Sequence, residues 1–203
     1  MFDGLKLMSF LIAILMVHSL TPKPSTPMFP PQAIEANENY RDWYGPELVQ
    51  FGEKPLWVES DDAAGRETIR FTFIPGATLL RGRHTTVIRI ETEKGKARLI
   101  ARTEINDRGK RSNREVANKS LSFAEVVKLQ AFAEKAEPWK YPVGTWEKDE
   151  ISIHCTELLM ERRQRSSYAV SHILISCNQP DRLMPLVDYV AELAGQKRKD
   201  LRY

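Results

Sequence analysis

The sequence predicts an α+β domain: an antiparallel sheet of about five strands, in the order β-β-β-α-β-β-α, with two helices on one face. Three observations lead there. Residues 68–74, 86–91 and 97–105 alternate apolar and polar side chains with period two, the mark of half-buried antiparallel strands. Residues 122–136 and 182–194 instead repeat their apolar positions every three or four residues, as amphipathic helices do. Between these helices, residues 151–177 form two apolar, β-branched runs around the charged tip 161–165, which suggests a hairpin.

Taken in chain order, residues 5–20 come first and are nearly all apolar, with Lys6, Ser9, His18 and Ser19 as exceptions. The run is short for a membrane helix of about 20 residues and suits the core of a signal peptide, roughly 7–15 residues. Residues 1–19 are therefore expected to be an export signal cut near Ser19–Leu20, or else a retained membrane anchor. A buried cytosolic helix is the third possibility. Five prolines from Pro22 to Pro31 make 20–39 a linker, since proline suits neither a helix interior nor a central strand. Aromatics return at Tyr40, Trp43 and Tyr44, where the globular domain, 40–196, is expected to begin; Pro46 can open a short helix running to Phe51. Asp61-Asp62 lacks the glycine and downstream glutamate of a calcium loop and is expected to be a solvated turn.

In the first strand Ile69, Phe71 and Phe73 oppose Thr68, Arg70 and Thr72; in the second Ile88 and Ile90 oppose Arg89 and Glu91. In the third, Leu99, Ala101 and Ile105 oppose Arg98, Arg102 and Glu104. A two-residue turn at Lys94-Gly95 joins the last two strands and sets Ile90 opposite Leu99 and Glu91 opposite Arg98. Arg70, Arg89, Arg98 and Arg102 then share one sheet face. That face is either an anion-binding surface or, more plainly, a wet face whose arginines pair with Glu91 and Glu104. Residues 106–119 are basic and expected to be a loop; no aromatic interrupts them, so a single-strand nucleic-acid platform is not indicated. Ser122 and Glu125 make a capping box, Leu121 can staple onto Val126, and Pro138 ends the helix, with Trp139 and Tyr141 anchoring its exit. The last helix buries Leu183, Leu186, Val187, Val190 and Leu193, and 197–203 is a basic, fraying tail.

The segments FTFIP, TTVIRIE, ARLIART and LSFAEVVKLQAFAEKAEPWKYP, with Tyr168 to His172 as an imperfect "YH" element, resemble a family of small uncharacterised exported bacterial proteins. The likeness spans roughly 71–193. An Arg-Trp pair expected near the end of the second hairpin strand is here Ser176-Cys177. The resemblance implies export and the α+β fold, and no activity.

Chemistry-bearing motifs are few. There is no G-x-S-x-G, phosphate loop, H-E-x-x-H or C-x-x-C, so no cofactor and no metal is expected. A net charge of +3 over 203 residues is too mild to indicate nucleic acid. His154 and His172, with Glu157 close in sequence, form the one candidate acid–base or metal pair; both lie at even positions and could share a face. The hairpin also holds both cysteines, Cys155 and Cys177. Cys155 opposite Cys177 centres the loop on Ser166, whereas His154 opposite His172 centres it on Arg163, and a regular hairpin cannot do both. Export favours the disulfide over two free thiols. The sequence thus indicates an exported, non-catalytic envelope or secreted binding module, its partner an envelope protein, an anionic polymer or a lipid surface. A hydrolase-like enzyme using His154 and His172 is the alternative.

Overall fold

The computed structural model describes residues 26–58, 65–75, 84–107, 110–141, 155–177 and 180–201. The expected signal or anchor, the Asp61-Asp62 turn and His154 lie outside them. The fold is α+β, with one antiparallel sheet of six strands in the order β4-β3-β2-β1-β5-β6. The strands are β1 (Arg66–Ile74), β2 (Thr86–Glu93), β3 (Lys96–Asp107), β4 (Lys110–Leu121), β5 (Glu157–Gln164) and β6 (Ser167–Leu174). The helices are α1 (Pro31–Ala36), α2 (Gly45–Gln50), α3 (Phe123–Ala136), α4 (Met184–Leu193) and α5 (Arg198–Leu201).

The predicted β2–β3 register is the observed one: Ile90 faces Leu99 and Glu91 faces Arg98. Its two-residue turn needs positive φ at both central positions, and Lys94 and Gly95 have φ of 49° and 76°. The odd-numbered apolar positions of β1 and β3, and the even ones of β2, build the larger core with α3 and α4. Helix α3 opens on the predicted capping box: the Ser122 hydroxyl accepts from Glu125 N at 3.3 Å and Glu125 accepts from Ser122 N at 2.7 Å. Leu129 and Ala136 are buried on its inner stripe, with Val126, Phe132 and Ala133 beside them.

Three expectations are corrected. The basic segment 106–119 is no loop but largely β4, the sixth strand, which pairs with β3 through a bulge between Ala101 and Arg102. As an edge strand it is held by main-chain bonds and carries charge outward, so it shows little apolar alternation. The packed chain starts before Tyr40: Met28, Phe29 and Ala33 are buried with Tyr40, Tyr44, Leu48 and Phe51 in a second core on the other sheet face. Pro30 and Pro31 do not keep this stretch extended; Pro31 opens α1, where its missing N–H goes unneeded. The basic tail likewise closes as α5, with Leu201 buried.

Replacing Ser122 by Ala should lower unfolding free energy by about 1 kcal/mol in urea titrations. The Ser122 amide and hydroxyl hold the half-buried Glu125 carboxyl below the usual range. A carboxyl lowered in the folded state stabilises above the ordinary glutamate pKa, and that contribution is lost as pH falls through the lowered value. The Ser122→Ala penalty should therefore be present at pH 7 and shrink at acid pH.

Candidate functional site

The second sheet face, under α1, α2 and the π-helical turn Tyr40–Tyr44, carries a layer of buried charge. Arg70 projects there from the middle of β1 with 0% exposure, and Glu161 meets it from β5, also at 0%. Arg70 Nε and Nη2 donate to the two Glu161 oxygens, each at 2.8 Å, and Nη1 donates to Glu53 at 3.2 Å and to the Lys54 carbonyl at 2.9 Å. Glu53 also takes Arg89 at 2.7 Å, with Arg102 at 3.6 Å, while Arg102 donates to the Phe51 carbonyl at 2.9 Å. Burial by itself pulls the Arg70 guanidinium down, but Glu161 and Glu53 raise it on balance. Burial pushes the Glu161 carboxyl up, against the pull of Arg70 and of the Tyr168 hydroxyl, which donates at 3.0 Å.

The expected arginine face is therefore largely covered by the N-terminal layer and occupied by protein acceptors. Arg70, Arg89 and Arg102 are engaged by protein carboxylates and carbonyls, and Arg98, bonded to Asn118 at 2.9 Å, is the exposed one of the four. Of the expected partners, Glu91 does pair with Arg89, at 2.9 Å, but Glu104 pairs with Arg111, which also reaches Glu47 at 2.7 Å. The central acid is Glu53, in a short connection where no periodicity marks it.

His172 belongs to the same face. Its Nε2 lies 2.9 Å from Glu157 Oε2, and the Tyr44 hydroxyl donates to that same oxygen. The Tyr40 and Tyr44 rings stand edge-on to the imidazole, at 6.1 and 5.4 Å between centroids. Burial first pushes both tyrosine hydroxyls up, helped by the Glu161 and Glu157 charges at Tyr40 and by Glu157 at Tyr44, so both remain protonated. The set has the makings of an acid–base relay, but His172 is only 3% exposed and the aromatic turn seals it. Its geometry is that of a buried polar clamp between the N-terminal layer and the hairpin. Tyr44, absent from the expected pair, sits 113 residues away from Glu157 in sequence.

The hairpin register matches neither proposed pairing. Glu157 faces Leu174 and Gln164 faces Ser167, around a two-residue turn at Arg165-Ser166. In this register even positions of β5 share a face with odd positions of β6, so the parity that put both histidines on one face does not apply. The disulfide forms nonetheless, just beyond the strands. Cys155 and Cys177 have Cα atoms 5.5 Å apart, within bridging range, and Ile175 N donates to the Thr156 carbonyl at 2.9 Å beside them. Among the described residues, no cluster of His, Cys, Asp or Glu could hold a metal, and no helix is long and apolar enough to cross a membrane.

The opposite side of the sheet offers a concave feature. Between α3 and strands β1, β2 and β5 lies a half-open cleft of about 580 Å³. Ile69 and Ile90 form its floor, Val126, Leu129 and Ala133 of α3 one wall, and Trp139 closes an end. Charged groups rim it: Arg162 bonded to Glu67 at 2.6 Å, Lys140 paired with Glu137 at 2.6 Å, and Glu134. A partly apolar hollow with a few converging polar groups has the form of a small-molecule site. Its residues run from Glu67 to Gln164 along the chain and read individually as core or helix surface. The fold and site together define a disulfide-linked α+β domain with a ligand-sized cleft between helix and sheet. Comparison with protein-family models, curated proteins and solved structures finds no match.

The two sets of arginines should respond differently to truncation. Arg70→Met leaves Glu161 buried without its counter-charge, while Glu53 keeps Arg89, and should cost about 3–5 kcal/mol in urea unfolding. Arg98→Ala, at an exposed site, should change stability by less than about 1 kcal/mol. Equal effects would show that the Arg70 layer is solvated.

Proposed function

We propose that this chain is an exported, non-catalytic binding module whose ligand sits in the cleft between α3 and the sheet. The cleft carries this reading: it is large enough for a small molecule, apolar at its floor and edged by oriented charge. Export is supported by the apolar run 5–20, by the disulfide, which persists in oxidising compartments, and by the resemblance to small exported bacterial proteins. An envelope setting fits those features. Of the partners considered from sequence, an anionic polymer or lipid surface is less favoured, because Arg70, Arg89 and Arg102 are engaged by Glu161, Glu53 and the Phe51 carbonyl. A hydrolase-like role for His172 is disfavoured by its burial.

Binding is tested by titrating small amphiphiles and envelope extracts into protein labelled at isoleucine methyl groups. Ile69 and Ile90 should shift in the wild type and stay still in Ala133→Phe, whose ring fills the cleft. If no compound moves those methyls, the cleft is only a surface depression and the reading fails. For export, protein recovered from the envelope should show no free thiol under denaturing, non-reducing conditions. Reducing the bridge should lower stability by about 3 kcal/mol on the chain-entropy account of a loop this size. Two titratable thiols would remove the export argument.

A further inference from the structure

We infer that the cleft selects a linear aliphatic amine, its chain on the Ile69–Ile90 floor and its ammonium at Glu134. This rests on the cleft being the binding site and adds the sign of the charge it prefers. The floor and wall are aliphatic, so what they accept from water is a hydrocarbon chain, whose burial is favourable in proportion to area. The rim decides the head group. Both cations that line the cleft are already held: Arg162 by Glu67 at 2.6 Å and Gln164 at 2.7 Å, and Lys140 by Glu137 at 2.6 Å. Glu137 is engaged a second time, by Arg182 at 2.5 Å. Glu134 is the lining charge with no cationic partner among the described residues.

Position adds to that surplus. Glu134 sits in the last turn of α3, where the aligned peptide dipoles present their negative end, a setting that favours a cation. Arg182 caps one carbonyl there, that of Lys135, at 3.2 Å. At the mouth Trp139 offers an indole that can lie along a hydrocarbon chain, and the Arg162 guanidinium already stands 5.9 Å from its ring. A carboxylate ligand would have to displace Glu67 from Arg162 or Glu137 from Lys140, and would face Glu134 besides. An ammonium displaces nothing.

The test compares three eight-carbon probes on the full folded domain, below their aggregation limits: n-octylammonium, n-octanol and octanoate. Isoleucine methyl shifts give each dissociation constant. In the wild type octylammonium should bind roughly fivefold more tightly than octanol, the scale of a single partly exposed ion pair, and octanoate should be weakest. Glu134→Gln, a change at the helix surface that leaves the core intact, should erase the octylammonium advantage and leave octanol unchanged. Salt should weaken octylammonium alone. Equal binding of all three probes, or an ammonium preference that survives Glu134→Gln, overturns the amine assignment while leaving the cleft as a binding site. No shift of Ile69 or Ile90 with any probe overturns both.

Discussion

The ion pair of Arg70 and Glu161 is the contact on which the rest of this structure depends. Both side chains are withdrawn from water at the centre of the sheet, on neighbouring strands. A buried charge is tolerated only with a partner in good geometry, and here the two side chains meet through two parallel N–H bonds. The guanidinium still has a third nitrogen to satisfy. Glu53 and the Lys54 carbonyl meet that need, and both come from the N-terminal segment. The sheet therefore cannot bury its own charge without recruiting residues 26–58, and those residues find their place by meeting that demand. Phe29, Tyr40, Tyr44 and Phe51 add an apolar lock around it.

This arrangement assigns different work to the two faces. The face carrying Arg70, Arg89, Glu157 and His172 is used up internally: its polar groups hold layers together. His172, Glu157 and Tyr44 repeat the device a few residues along, again tying the N-terminal turn to the hairpin. The other face is assembled from aliphatic side chains with α3 and α4 laid over it. Where α3 leaves the sheet near Trp139, its small residue Ala133 does not fill the space above Ile69 and Ile90. The cleft is the result. On the proposed reading recognition falls to the apolar face, and most of the charge that looked available from sequence is committed to the fold.

Much of the fold was legible because it rests on local periodicity. The alternation in β1 to β3, the Lys94-Gly95 turn with its register, the Ser122–Glu125 cap and the apolar stripe of α4 are each set by residues within a few positions of one another. The disulfide was legible for a compositional reason, since two cysteines in a chain expected to be exported leave few options. The β4 strand was not, because an edge strand may be polar on both faces and then has no period to detect. Residues 28–39 escaped too: proline density argues for a spacer, yet proline is also a good first residue of a helix.

By itself, then, the sequence determined the types and order of the elements other than β4, α1 and α5, and which side of β1 to β3 is apolar, because local sterics and hydrophobic pattern decide those. Only the tertiary structure decided what covers the polar side, and hence whether Arg70 meets water or Glu161. It also fixed the one-residue offset of the β5–β6 hairpin, which sets His172 against Glu157 and Tyr44. Contacts such as Arg70–Glu53, Tyr44–Glu157 and Trp139–Arg162 join residues brought together by packing alone. Nothing in the spacing of a chain records which distant carboxylate a buried guanidinium will find.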